Sequence, residues 1–429
     1  MAHPVQRDTH PARLLVVTLV ALGLLARLTL ALMMPPAKAV RLPHARPYLR
    51  LAQSLAGGHG FVLKGPAADN GAGRTYLAAR MPGYPLLVAG AARVLGAPAR
   101  GALVVQALCG AGAMLLAAWA AYRLAGRWAA VTATALLAFD PFQVLFAGLA
   151  TPVPVTAFPL TGVAVAGVLT IEAVREGRRA WPYALAGGLA MAAAVYVQVW
   201  TLALAPVALM AAVVSRRRGR LLAGWAIAAA VMLAALAPWL VRNAMRVGAP
   251  VLVTTVGWQL VETPRPAGDA NPAGTEPAGP EATPPTPDIG RLVSDPAGWL
   301  AGGAERVTRL WSPGMPEGLE NGPLNVAAGY TSLLPAALLA VLGLWRLCRR
   351  GEVWWLLLVP VALTGIHGVL GGWAGERAAV LPTLAVLGGA GLAALLGRRS
   401  ESARETTPPE DGRKPSPAAP RVGASSDRA

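Results

Sequence analysis

The sequence predicts an all-α polytopic membrane protein of about ten spanning helices, with further helices lying in the outer interface, on three observations. The 429-residue chain is 55% hydrophobic and only 14% charged, too apolar for a soluble protein of this length. Apolar runs close to the roughly 20 residues that cross a bilayer recur along it. Most of the arginine behind its net charge of +17 falls in short clusters between those runs. That pattern orients membrane helices, and nucleic acid is not an implied partner.

Taken in order, spans are expected at 12–34, 99–122, 128–148, 152–172, 182–199, 200–214, 221–241, 327–346, 353–371 and 378–396. The run 182–214 is read as two short, closely connected spans. The run 84–96 is too short to cross and is placed in or on the outer face. Between spans lie RLAGR (123–127), REGRR (175–179), SRRRGR (215–220) and RLCRR (346–350). With alternating helices these clusters share one side, which the positive-inside rule makes cytoplasmic. Both termini then face the cytoplasm of a multi-pass protein in the cell (inner) membrane. AKA at 37–39 resembles a signal-peptidase site. The apolar run before it is longer than a usual signal core and contains Arg27, so a retained first helix is expected.

The domain boundaries follow. Residues 1–11 form a cytoplasmic N-terminus, 12–397 the transmembrane domain, and 398–429 a polar, disordered cytoplasmic tail. The outer loops are 35–97 and 242–326, the second holding a Pro-, Gly- and Thr-rich stretch, disordered over 262–290, that cannot build a packed core. Cys109 and Cys348 lie in and at the end of apolar runs, with no disulfide, zinc or redox spacing. Trp239, Trp354, Trp355 and Trp373 fall near span ends, as an interfacial aromatic belt would. Trp299 and Trp311 flank a helix-like piece expected to pack on the outer face.

Residues 41–61, RLPHARPYLRLAQSLAGGHGF, read as a small amphipathic helix with Tyr48, Leu51, Ala52 and Leu55 on one face and Arg46, Arg50 and Gln53 on another. No acid occurs between Asp8 and Asp69. RMPGYP follows, where Pro82, Gly83 and Pro85 set a sharp return toward the membrane. Further on come LVVQALCGAGAMLLAAWAAYRLAGR, LAPWLVRNAMRVGAPVLVTTVGWQL, DPAGWLAGGAERVTRLWSP and GERAAVLPTLAVLGGAGLAALL.

In this order the segments resemble the GT-C superfamily of integral-membrane glycosyltransferases over nearly all of 12–397. The likeness is to bacterial oligosaccharide and lipid-A-modifying members, distant relatives of protein O-mannosyltransferases. The resemblance implies a helical bundle that takes a polyprenyl-phosphate-linked sugar from the bilayer. The acceptor, an envelope glycan, lipid or protein, comes from the non-cytoplasmic side or the outer leaflet. Arg80, Arg242 and Arg377 match arginines of the family pattern at outer helix ends and would hold the donor phosphate. Interfacial anchoring of the same arginines is the plainer alternative. Tyr48, Pro82, Gly83, Tyr84 and Asn243 also match, and Asn243 is expected to help cap the turn after APW.

The chain departs from the family pattern where acids are usual. His44 stands in the place of an acid four residues before Tyr48, and Thr151 is followed by Pro152 where a glutamate is frequent. YVQVW (196–200) replaces a common T-R-P. Two readings follow. In an active enzyme, His44 would be the base and Asp69 would supply negative charge. In a non-catalytic member, lipid-linked sugar or a partner enzyme would still bind. Against a catalytic role, His44 also fits an exposed interfacial histidine and Asp69 a turn residue in DNG. Participation of a divalent cation is left open.

A transporter is the third reading, from a different class. It would need intramembrane ionisable residues, and Arg27, Asp140, Glu172 and His367 are the notable ones. Arg27 and Glu172 lie near span ends, where snorkelling or exposure explains them. Asp140 precedes Pro141 at an expected kink, and His367 fits a satisfied helix–helix contact.

Overall fold

A computed structural model describes residues 10–42, 45–67, 73–248, 250, 252, 294–313, 323–370 and 373–405. The chain opens with α1 (His10–Met33), α2 (Pro36–Ala39) and α3 (Ala45–Ala56). A two-stranded antiparallel hairpin follows, β1 (Leu63–Ala67) and β2 (Gly73–Tyr76), pairing Leu63 with Tyr76. This hairpin is the exception to the all-α expectation. Next come α4 (Gly83–Leu95), α5 (Pro98–Ala125), α6 (Arg127–Ala138), α7 (Pro141–Ala147), α8 (Val153–Arg175) and α9 (Trp181–Val197). A 3-10 turn (Val199–Ala203) leads into α10 (Leu204–Val214), and α11 (Arg218–Val247) follows. The last group is α12 (Pro296–Trp311), α13 (Pro323–Leu347), α14 (Gly351–Leu370), a second 3-10 turn (Ala374–Ala379) and α15 (Leu381–Glu405).

Each expected span coincides with a helix or a bent pair of helices. Among the described residues, six helices are long and apolar enough to cross a membrane. The pair α6–α7, bent by 52°, makes a seventh if counted as one span. The count of about ten therefore depends on α9, on α10 with its preceding turn, and on the apolar part of α15, all shorter than a full crossing. At its C-terminal end α15 runs on to Glu405, eight residues into the expected polar tail. Extending a nucleated helix adds a hydrogen bond for each residue ordered, so polar residues can continue an apolar span. The Pro-rich stretch 262–290 lies outside the described residues.

The arginine clusters lie at one end of the bundle and hold helix ends together there. Arg217 donates to the carbonyls of Val174 and Arg175, both at 2.6 Å, and Arg350 donates to Leu124 O at 2.8 Å. These are last-turn carbonyls without helical partners, and a cation there also suits the helix dipole. Arg123–Glu172 (2.6 Å) and Arg175–Glu352 (2.9 Å) add ion pairs at the same end. The opposite end carries α2–α4, the hairpin, α7, both 3-10 turns and α12.

The bend between α6 and α7 has a local cause. Pro141 cannot donate a backbone hydrogen bond, so α6 ends with open carbonyls. Arg27 fills them, donating to Leu137 O (2.8 Å) and Ala138 O (3.4 Å) while also holding Gly23 O (2.9 Å). Arg27 is only 1% exposed, so the expectation that it snorkels is corrected. Asp140 caps α7 by accepting from Gln143 N at 2.8 Å, and Ser332 Oγ of α13 donates to it at 2.6 Å.

Close helix approach depends on glycine. A Cβ on Gly343 of α13 would stand 2.1 Å from Leu387 O, and one on Gly391 of α15 would stand 2.4 Å from Leu339 O. Small residues at such crossings are how membrane helices pack without a hydrophobic driving force. Two tryptophans of the expected belt are packing residues instead. Trp239 is buried against Phe61, with ring centroids 5.1 Å apart. Trp355 lies over Gly167 and donates to Ala164 O at 3.0 Å.

Candidate functional site

The end of the bundle opposite the arginine clusters is organised around Gln106 of α5, which is fully buried. Its Oε1 accepts from the Tyr84 hydroxyl at 2.8 Å and from Thr151 N at 3.2 Å. Its Nε2 donates to Phe146 O (2.7 Å) and Leu149 O (2.8 Å). One side chain thus fixes the start of α4, the end of α7 and the loop into α8. A Cβ on Gly83 would stand 2.7 Å from Tyr196 O, so the turn made by RMPGYP sits directly on the end of α9. Pro82 is the residue preceding α4.

Tyr84 packs edge-on against Tyr48 of α3, with centroids 5.2 Å apart, and the Arg80 guanidinium lies 5.6 Å from the centre of the Tyr48 ring. The Arg80 side chain is half-buried, and its buried Nε has no hydrogen-bond partner. Three more buried polar atoms at this end lack partners, Thr151 Oγ1, Trp200 Nε1 and Trp299 Nε1, while Arg346 Nε is unpartnered at the arginine-cluster end. Buried polar groups are normally satisfied, so several orphans at one end suggest a place for a polar ligand.

A second polar chain crosses the same end. Thr156 Oγ1 of α8 donates to Gln198 Oε1 at 2.7 Å, and Gln198 Nε2 donates to Glu376 Oε1 at 2.9 Å. Glu376 Oε2 lies 2.6 Å from His367 Nε2, and His367 Nδ1 lies 2.9 Å from Leu363 O. A carbonyl only accepts, so Nδ1 carries a hydrogen, and one further proton bridges the histidine and the glutamate. Trp200 stands edge-on to His367 at 6.1 Å. Burial raises the Tyr48 phenol pKa above its usual value. Arg80 works against that rise and Glu376 adds to it.

The other expected residues take different places. Arg242 donates to Leu77 O, to Asn243 Oδ1 at 2.7 Å and to Phe61 O at 3.3 Å, and stacks 4.8 Å from the Trp239 ring centre. Arg377 is 2% exposed, donates to Leu310 O at 2.9 Å and to Ser312 O, and lies 4.6 Å from the Phe142 ring centre. Burial pushes the Arg377 pKa down to about 10, which leaves it charged at neutral pH. Both arginines join segments at this end to the bundle, whereas Arg80 keeps donor capacity. Asn243 is buried within α11, which continues to Val247, so it does not cap a turn there. His44 and Asp69 lie outside the described residues.

Glu376, Gln198, Thr156 and Gln106 were not singled out from the sequence. Glu376 had a signal, since it is the only acid between Glu352 and Glu401, at the entry to an apolar span beside Arg377. Among the described residues, no three His, Cys, Asp or Glu side chains group closely enough to hold a metal ion. Glu376 and His367 satisfy each other and do not make a protein-held cation site.

No family model and no curated protein sequence matches the chain. Solved structures do match in fold. ArnT from Cupriavidus metallidurans, bound to undecaprenyl phosphate, aligns with a TM-score of 0.58 at 16% identity, over 91% of this chain and 63% of its own. The oligosaccharyltransferase AglB from Archaeoglobus fulgidus, in complex with an inhibitory peptide and a dolichol-phosphate, aligns with a TM-score of 0.55 at 13% identity, over 93% of this chain and 52% of its own. The chain thus spans less than two thirds of the length of either protein. The alignments nevertheless cover more than nine tenths of this chain, which has the fold of these two proteins, the GT-C fold.

Proposed function

We propose that this protein is a membrane glycosyltransferase that passes a sugar from a polyprenyl-phosphate donor to a cell-envelope acceptor on the non-cytoplasmic face. One observation carries the reading. In a fold of which one solved example is bound to undecaprenyl phosphate and another is in complex with a dolichol-phosphate, Arg80 presents an unpartnered guanidinium nitrogen among orphaned polar groups at one end of the bundle. A phosphate oxygen there would gain a charge-assisted hydrogen bond and relieve a buried unsatisfied donor.

A place for the lipid chain supports the reading. An apolar cleft of about 420 Å³ lies between α13, α14 and α15, lined by Leu333, Leu344, Leu357 and Leu384 among others. Its lips, Val341 and Val361, are exposed, as lipid-facing residues are. Its upper part is bounded by Trp311, which donates to Thr364 Oγ1 at 3.0 Å. Thr364 is one helical turn from His367, so the cleft leads toward the polar end.

In the reaction, the acceptor oxygen attacks the anomeric carbon of the sugar. The bond from that carbon to the phosphate oxygen breaks, and the polyprenyl phosphate leaves as an anion that Arg80 meets. The replaced acids at positions 44 and 152 favour a second reading, a protein that binds lipid-linked sugar without transferring it.

Binding of undecaprenyl phosphate and dolichol phosphate to the full chain in nanodiscs tests the site. Losing one charge-assisted hydrogen bond, about 1.5–3 kcal/mol, should make Arg80→Ala bind roughly 10- to 150-fold more weakly. Equal binding by wild type and Arg80→Ala would remove the phosphate assignment. Sugar transfer from labelled donors then separates the two readings.

A further inference from the structure

The acids usual in the first outer segment and in the fourth span are absent, yet the fold brings a carboxylate to the same end from near the C-terminus. We propose that Glu376 is the catalytic carboxylate of this protein, taking the proton of an acceptor hydroxyl, with His367 and Gln198 as its positioning residues. The inference rests on the transfer reading above and names the group that performs it.

The geometry meets the needs of a base. Gln198 and His367 each hold one carboxylate oxygen, at 2.9 and 2.6 Å, which sets the plane of the group. An ionised carboxylate has about four acceptor positions, so two remain for a substrate. The Glu376 side chain is 16% exposed and that of His367 only 3%, so a substrate would meet the glutamate and not the histidine. Gln198 stands within YVQVW, where the family's T-R-P is replaced, and is itself tied to Thr156.

Other carboxylates with described side chains are committed elsewhere. Asp140 is held by Gln143 N and Ser332, and Asp295 caps α12. Glu172, Glu352 and Glu305 are paired with Arg123, Arg175 and Arg309. Glu376 differs because Gln198, which holds it, lies two residues beyond Tyr196, on whose carbonyl the RMPGYP turn that begins with Arg80 sits. A displacement needs a cation for the leaving phosphate and an anion for the proton of the incoming hydroxyl at the same end of the bundle.

The step balances without any further reactant. The hydroxyl proton moves to a free lone pair of the Glu376 carboxylate. The acceptor oxygen bonds to the anomeric carbon, and the carbon–oxygen bond to phosphate breaks with its electron pair leaving on the polyprenyl phosphate. The carboxylic acid afterwards returns its proton to solvent through its exposed side.

The test uses the full chain in nanodiscs, undecaprenyl-phosphate pentoses and hexoses as donors, and envelope lipid as acceptor. Binding, transfer and melting temperature are measured for wild type, Glu376→Gln, Glu376→Asp and His367→Gln. We expect Glu376→Gln to bind undecaprenyl phosphate within about 2-fold of wild type and to lose transfer by roughly 100-fold or more, the usual contribution of a positioned base. Glu376→Asp, which keeps the charge but moves it, should transfer at an intermediate rate. His367→Gln should lower kcat at unchanged KM, a split that general loosening would not produce.

An active wild type with an equally active Glu376→Gln overturns the assignment and leaves the transfer reading intact. A wild type that binds the lipid but transfers no sugar overturns the assignment in favour of the binding-only reading. A wild type that does neither overturns both. If Glu376→Gln melts early, Glu376→Asp decides, and wild-type transfer by a well-folded Glu376→Asp overturns the assignment.

Discussion

Replacing Gln106 by leucine should uncouple the site end of the bundle, and the cost can be worked from its four hydrogen bonds. The substitution nearly preserves side-chain volume but leaves the Tyr84 hydroxyl, Thr151 N, Phe146 O and Leu149 O without this partner. All four residues are at most 1% exposed, so water does not reach these groups in the folded protein. Phe146 O keeps Leu149 N at 3.3 Å, so three groups are orphaned; at about 1–3 kcal/mol for each buried polar group the nominal loss is roughly 3–9 kcal/mol. Local relaxation and water entry at this end will reduce that, and we expect a loss of at least about 3 kcal/mol. Tyr84→Phe alone removes one hydrogen bond and should cost about 1 kcal/mol. The double variant has no stranded hydroxyl, so it should be more stable than the sum predicts, by roughly 1–2 kcal/mol. Equilibrium unfolding in mixed micelles, followed by tryptophan fluorescence, reads both quantities. A Gln106→Leu loss below about 1 kcal/mol, or strict additivity with Tyr84→Phe, would refute the hub.

Three further substitutions separate architecture from chemistry. Gly83→Ala brings a methyl group to 2.7 Å from Tyr196 O, a backbone atom that cannot rotate away. It should cost about 1–3 kcal/mol in the same unfolding assay, and an unchanged midpoint would show that α4 and α9 are not so closely set. Arg27→Met strands the carbonyls of Leu137 and Ala138 and removes one of the two cations, Arg27 and Arg377, that act on Asp140. A loss of roughly 3 kcal/mol or more is expected, and a stable variant would mean that the α6–α7 break satisfies itself. Arg242→Ala should free the segment around Leu77 and Phe61, seen as faster proteolysis there, before any selective loss of lipid binding. Loss of binding at normal proteolysis would make Arg242 a phosphate ligand instead.

Much of the fold was legible because membrane insertion imposes a strong local rule. A hydrocarbon core leaves no partner for an open backbone, so each crossing must be a continuous apolar helix of a particular length. Every expected span accordingly falls on a helix, and the break at Asp140-Pro141 lies where proline chemistry places it. The amphipathic α3 and the short α4 followed from helical spacing and from a run too short to cross. The order of motifs was enough to suggest the GT-C fold that the structural matches bear out.

Partnership of polar side chains was not legible, because it depends on residues far apart in the chain. Arg27 sits near the end of its apolar run and suggests snorkelling, yet its acceptors lie 110 and 111 residues away. Arg80, Arg242 and Arg377 look alike as arginines at helix ends. All three lie over aromatic rings, and packing separates them because Arg242 and Arg377 also reach backbone carbonyls while Arg80 Nε has no partner. The acids of the family pattern can be seen to be missing by local reading. A glutamate arriving at the same end, held by a glutamine 178 residues earlier, can be seen only when the helices are assembled. Length and hydropathy are properties of a segment and survive in the sequence. Hydrogen-bond satisfaction in a low-dielectric interior is a property of the packed bundle, and it is what decides which of these polar residues are struts and which remain open to a ligand.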